Sequence, residues 1–226
     1  MSGGALYVYA VTDSFPGTAP TGLHGAPLRA IECGPVLAVV SEHAVAPDPG
    51  EGLLWEHERV VEELMEAATI LPMRFGTTVE GPEALIAMLE PRRQELSALL
   101  ERVRGAVELS VRAELPSVTE PVDLEPPPPG PSGPGTAYLL ERAGRRRRGE
   151  EAAELIHRPL AALARRSMRR PSGGDPRAFK AAYLVDEGTV EAFGVRVDRL
   201  NATLGDIKVS CTGPWPPYSF VKEKPQ

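Results

Sequence analysis

His57-Glu58 opens the helical metalloprotease pattern H-E-x-x-H, in which two imidazoles one turn apart share a zinc ion. Val61 stands where the second histidine is needed, so the pattern fails on ligand count and reads as a helix-face histidine beside a glutamate. No G-x-S-x-G elbow, phosphate-binding loop or G-x-G-x-x-G turn occurs. The four histidines and two cysteines form no local nucleophile pair. The sequence nominates no catalytic residue, no metal site and no cofactor, and it reads as a noncatalytic chain.

Charge is the next source of chemistry. The formal net charge of −6 argues against a generally nucleic-acid-binding surface. Residues 142–170 run against that average: ten of the 25 basic residues lie there with three acids, a local +7 that leaves −13 for the rest. The run Arg145, Arg146, Arg147, Arg148 is its densest part. A solvated helix face, an acidic protein partner and nucleic acid are the readings such a run allows. Nucleic acid is the weakest, because the strands beside it lack the aromatic frame with which an RNA-reading sheet stacks bases.

Two further segments are too peculiar to be generic. In residues 71–77, LPMRFGT, a proline forces extension directly after a helix and Arg74 enters a stretch otherwise suited to burial beside Phe75. In residues 212–220, TGPWPPYSF, three prolines stiffen a segment whose rings Trp215, Tyr218 and Phe220 do not all fit a strand. Such rings dock on a surface, either the body of the same chain or a partner, for which Trp and Tyr are typical anchors.

The elements that must position these segments follow from periodicity. Residues 5–11 are apolar on both faces and read as a central strand. Residues 28–33 and 36–41 flank Gly34-Pro35 as a hairpin. Residues 53–68 place Leu53, His57, Val60, Val61 and Leu64 on one helical face, and the helix is predicted to run as far as Leu71. A strand over 73–79, helices over 83–89 and 92–103 around Pro91, and a strand over 107–111 closing the first domain complete that half. The stretch 116–135, PSVTEPVDLEPPPPGPSGPG, is a stiff polyproline-like linker.

The second half is read as a strand at 137–141, a helix at 149–166 bent at Pro159, a hairpin of 167–170 with 178–185 across a PSGGDP turn, a helix at 189–200 and a strand at 207–211. The fold class is α+β in two domains, the second ferredoxin-like in the order βαββαβ, the first a related α/β sandwich with an antiparallel sheet. The boundaries are 1–115, the linker 116–135, 136–211, and a tail at 212–226 docking on the body. Cys33 and Cys211 have no disulfide-framework spacing and read as small core residues. No stretch approaches the ~18 apolar residues of a membrane span, and the first residues, MSGGALYVYAV, lack the features of a signal peptide, which points to a cytoplasmic protein.

Taken in order, LYVYAV at 6–11, GLHG at 22–25, AVVSE at 38–42, HERVVE at 57–62, LPMRFGT, AYLV at 182–185 and TGPWPPYSF make the chain resemble the gas vesicle protein L/F family (GvpL/GvpF). The resemblance implies an accessory protein of gas vesicle formation with no associated reaction and no cofactor. It implies contacts with the hydrophobic shell protein and with other accessory proteins, and association with the vesicle. Candidate partner-binding residues are Arg74, Phe75, Trp215, Tyr218 and Phe220, with Arg145–Arg148. A small-ligand regulatory module on a ferredoxin-like fold and RNA binding through the arginines are the alternatives.

Overall fold

A computed structural model describes residues 4–15, 20–48, 50–115, 134–170, 178–205 and 207–221, apart from several side chains between 134 and 148. The linker at 116–133, the PSGGDP turn at 171–176 and the end at 222–226 lie outside the described residues. The chain forms two compact units, one of Met1–Glu108 with Pro214–Gln226, the other of Leu109–Gly213.

The N-terminal unit is built on β1 (Ala5–Thr12), β2 (Leu28–Cys33), β3 (Val36–His43), β4 (Ile70–Pro72) and β5 (Thr78–Glu80), with α1 (Glu51–Ala67), α2 (Gly81–Leu89) and α3 (Arg93–Val103). The sheet runs β2-β3-β1-β4, and β5 also pairs with β1. As the alternation requires, β1 is covered on both faces: Leu6, Tyr7, Val8, Tyr9 and Ala10 are all buried. Tyr7 and Tyr9 share a core with Val60, Val61 and Leu64 of α1, while α2 and α3 also pack against the sheet. The GP hairpin forms as expected, with Cys33 opposite Val36.

Two expectations fail here for one reason. The helix expected to reach Leu71 ends at Ala67, with Ile70–Pro72 already strand, and of the strand expected over 73–79 only its end, from Thr78, is one. β4 pairs with Ala10–Thr12 and β5 with Ala5–Tyr7, both antiparallel, so the two share one edge of β1. Between them residues 73–77 arch away from the ladder, pinned at both feet: the Met73 N–H donates to Tyr9 O at 2.8 Å and the Val8 N–H to Thr77 O at 2.9 Å. Local propensity reads Ile70-Leu71 as helix and MRF as strand. Pairing with β1 overrides both.

The Tyr9 region shows why one glycine is needed. A β-bulge shifts the β1–β3 register between Val8 and Ala10, and the Tyr9 hydroxyl accepts the Leu23 N–H at 2.7 Å and bonds Ser41 Oγ at 2.8 Å. A Cβ at Gly22 would lie 2.5 Å from that hydroxyl and 2.8 Å from Leu28 Cδ2. Because two hydrogen bonds hold the phenol, it has no free rotamer to retreat to. Gly22→Ala is expected to destabilise the N-terminal unit by about 1–3 kcal/mol, read as an earlier urea midpoint in tryptophan fluorescence; an unchanged midpoint contradicts it.

The other sheet joins β6 (Ala106–Glu114), β7 (Arg166–Arg169), β8 (Ala178–Asp186) and β9 (Val209–Trp215) in the order β7-β8-β6-β9, with α4 (Pro134–Ala161) and α5 (Val190–Thr203). Its core joins Ile156 and Leu160 of α4, alternate residues Phe179, Ala181, Tyr183 and Val185 of β8, and Phe193 and Val197 of α5. β7 and β8 pair antiparallel, as the hairpin reading expects.

Three corrections concern this sheet. Residues 137–141 are helical, part of one helix from Pro134 to Ala161; the run Ala-Tyr-Leu-Leu-Glu is short enough to suit either state, and its Ala, Leu and Glu are strong helix formers. The strand at 107–111, expected to close the first domain, lies between β8 and β9. The last strand extends through Trp215 rather than stopping at Cys211. The order strand, helix, strand, strand, helix, strand is present, with β6 as its first member.

Candidate functional site

His57 is the centre of the polar chemistry in the N-terminal unit. Its place at the inward face of α1, with Val60, Val61 and Leu64, buries it completely. It stacks on Tyr9, with ring centroids 5.8 Å apart, and meets Tyr7 and Phe75 edge-on at 5.7 and 5.8 Å. A buried imidazole needs partners for both nitrogens, and here both have one. Nδ1 is 3.0 Å from the Tyr7 hydroxyl and Nε2 is 3.3 Å from the Tyr218 hydroxyl.

The neighbours set the direction of these bonds. The Tyr7 hydroxyl accepts the Gly76 N–H at 2.9 Å, which leaves its own proton for His57 Nδ1. The neutral ring then carries its proton on Nε2 and donates to Tyr218, whose hydroxyl donates to Glu58 Oε1 at 3.3 Å. The result is a one-directional relay from the arch through β1 and α1 to the segment after β9. Burial holds His57 down at about 4, with the Met73 backbone acting weakly in the opposite direction. Burial also pushes Tyr7 up to about 12 and raises Tyr218 further. The Glu58 carboxyl is raised by burial, with its Tyr218 bond acting in the opposite direction. The relay is therefore uncharged through its three rings at neutral pH, as a buried chain of polar groups requires.

The segment after β9 is held at a second point. Glu108 of β6 is a buried carboxylate, and Ser219 meets it with both donors: the N–H at 2.7 Å from Oε2 and the hydroxyl at 2.6 Å from Oε1. Pro216, Pro217 and Phe220 are buried. This arrangement holds segments in place, and its titratable groups bond to one another.

The nominated residues divide accordingly. Phe75 and Tyr218 pack against the core around His57, and Phe220 is buried, so LPMRFGT and PWPPYSF meet through the relay. Arg74 is exposed, outside either strand, with its carbonyl accepting the Thr77 hydroxyl at 2.6 Å. Trp215 ends β9 at 40% exposure. Of the four consecutive arginines only the Arg147 side chain is described; it is exposed and pairs with Glu151 at 3.4 Å, while Arg145, Arg146 and Arg148 have side chains outside the described residues. Further along, Arg169 is engaged by Glu150 and Glu154, and Arg165 by Asp186. Sequence reasoning missed Tyr7, Glu108 and Ser219. The signal available was Glu108 itself, an acid within the apolar run 106–111.

Fold and site together define a mixed helix and antiparallel-sheet protein whose buried polar groups fasten its own segments. Among the described residues no helix is long and apolar enough to cross a membrane. The family model described as gas vesicle synthesis protein GvpL/GvpF matches residues 5–222, and the chain belongs to that family. It is 30% identical to gas vesicle protein L of Streptomyces sp. (strain CB03234), over 95% of this chain and 92% of that protein. It is 28% identical to gas vesicle protein F2 of Halobacterium salinarum, over 98% and 94%. The crystal structure of GvpF from Anabaena sp. PCC7120 shares the fold, with a TM-score of 0.83 at 20% identity over 98% of this chain and 99% of that one. Membership supports a role in gas vesicle formation, in a family not known for enzymes.

Proposed function

We propose that the chain is a noncatalytic assembly factor that binds the hydrophobic shell protein, together with other accessory proteins, while the vesicle is built. The observation that carries this reading is the division of labour in the two signature segments: Phe75, Tyr218 and Phe220 face the body, while Arg74 and Trp215 stay exposed. The need is physical. A subunit that will bury a large apolar face in a shell exposes it beforehand and invites aggregation. An exposed tryptophan and an unburied arginine are residues that anchor such contacts. The work is done in the cytoplasm at the growing vesicle, and Arg145–Arg148 serve as a further contact for an acidic partner. The net charge of −6 favours a protein partner over nucleic acid.

In the same reading the second unit is ferredoxin-like. Its element order and the strand order β7-β8-β6-β9 support that assignment. The proline-rich stretch ahead of Pro134 lies between β6 and α4 in the sequence.

Pull-down of the shell protein by the full chain is expected to succeed, and Trp215→Ala with Arg74→Glu is expected to weaken it about tenfold or more, the range of an interface hot spot. Retention unaffected by the double substitution removes these residues from the contact. Normal vesicles after deletion of the encoding gene overturn the function.

A further inference from the structure

We infer that the N-terminal unit contains a peptide-recognition site for a Pro-Pro-Tyr-Ser-Phe segment, filled here by the chain's own residues 216–220 and able to take the same segment from a second copy. Three observations combine. First, the segment is folded on itself: the Tyr218 N–H donates to Pro216 O at 2.7 Å and the Phe220 N–H to Pro217 O at 3.0 Å. Two prolines preset its backbone, which lowers the entropy lost on docking.

Second, its grip on the body is that of a ligand. Phe220 and both prolines are buried, Tyr218 reaches His57 and Glu58, and Ser219 engages the two oxygens of Glu108 with its N–H and its hydroxyl. Any residue but proline supplies the N–H. Only serine or threonine adds the hydroxyl at that position, so Glu108, itself 3% exposed, selects for one.

Third, the segment is delivered covalently, directly from the end of β9. It belongs to the N-terminal unit, whereas the strand that delivers it is assigned to the other unit up to Gly213. Gly213 has φ 128, a value that favours glycine, and Thr212 to Trp215 are exposed. Covalent attachment to the end of β9 gives the segment a high effective concentration at its site. Occupancy from outside is masked until the internal copy is weakened.

The test uses full-length chains and a fluorescein-labelled peptide of residues 214–221, followed by anisotropy. Ser219→Ala and Tyr218→Phe chains are expected to bind the peptide about tenfold more tightly than the unsubstituted chain, because each loses a contact from the internal competitor. A peptide with alanine in place of the serine is expected to lose that binding. The inference is overturned if both variants stay folded and bind no better than the unsubstituted chain, or if the alanine peptide binds equally. Tyr218→Phe keeps the ring, so it decides the matter should Ser219→Ala unfold. For the second copy, a Glu108→Gln chain with its segment intact is mixed with a Ser219→Ala chain with its site intact. Sedimentation velocity is expected to show a heterodimer, and monomers alone at all concentrations overturn the exchange.

Discussion

Acidification from about pH 6.5 to pH 4 is expected to cost the N-terminal unit about 3 kcal/mol through His57 alone, because each pH unit separating the folded and unfolded titrations is worth about 1.36 kcal/mol. Unfolded, the imidazole takes up its proton near 6.5; folded, burial delays this to about 4. Between those values the unfolded state binds more protons, so stability falls as pH falls. Below about 4 both states are protonated and the loss stops growing. The physical event is specific. A proton on Nδ1 turns that nitrogen into a donor facing a Tyr7 hydroxyl that was donating to it, so that bond must reverse, the hydroxyl proton loses its acceptor, and a charge sits in a buried site.

Two neighbours modify the slope. Glu58, raised by burial, keeps its proton to higher pH when folded than when unfolded, so it adds stability as pH falls and offsets part of the loss. His43, lowered by burial and by His24, contributes with the same sign as His57. A His57→Phe chain separates the contributions: it starts less stable at pH 7, with the Tyr7 proton unaccepted, and its acid limb is flatter by the His57 share. Trp55 and Trp215 are the only tryptophans and both belong to the N-terminal unit, so urea titrations read by tryptophan fluorescence report this unit. Parallel acid limbs in the two chains contradict the assignment.

How much of this was legible depends on the length scale of each cause. The GP hairpin, the buried β1 and the inward face of α1 follow from alternation and three-four spacing, which are local. The arch is not local. Nothing within residues 70–80 says that the chain should leave the ladder at Met73 and rejoin it at Thr78; that is decided by β1, some 60 residues earlier. The same holds for β6. Its residues read as a closing strand for the half that precedes them, yet they pair within the sheet whose other members follow the linker.

The site shows the same division. LPMRFGT and TGPWPPYSF stand out because proline and large rings are unusual in those contexts, and the structure joins them around one histidine. That histidine was visible only as a failed zinc motif. Its role rests on Tyr7, 50 residues away, and Tyr218, 161 residues away, and a hydrogen bond between such partners leaves no periodic trace in the chain.

Tyr7→Phe is expected to destabilise the N-terminal unit by about 2–3 kcal/mol, although it removes a single oxygen. Each buried group that loses its partner costs about 1–3 kcal/mol, and this hydroxyl serves two of them, the Gly76 N–H and His57 Nδ1. Packing is preserved, since the ring and its contacts with Tyr9 and His57 remain. The distinguishing measurement is amide hydrogen exchange at Gly76, which has φ 80 at the tip of the arch and donates to the hydroxyl in question. Exchange there is expected to accelerate in Tyr7→Phe by more than the global loss of stability accounts for. Tyr9→Phe is the control: it frees the Leu23 N–H, leaves Ser41 its bond to His43 Nε2, and keeps the Gly76 bond intact. If the two variants accelerate Gly76 equally, the arch is held by the fold at large and not by Tyr7. If only Tyr7→Phe does so, one phenol on β1 couples the arch to His57, and through His57 to the segment that follows β9.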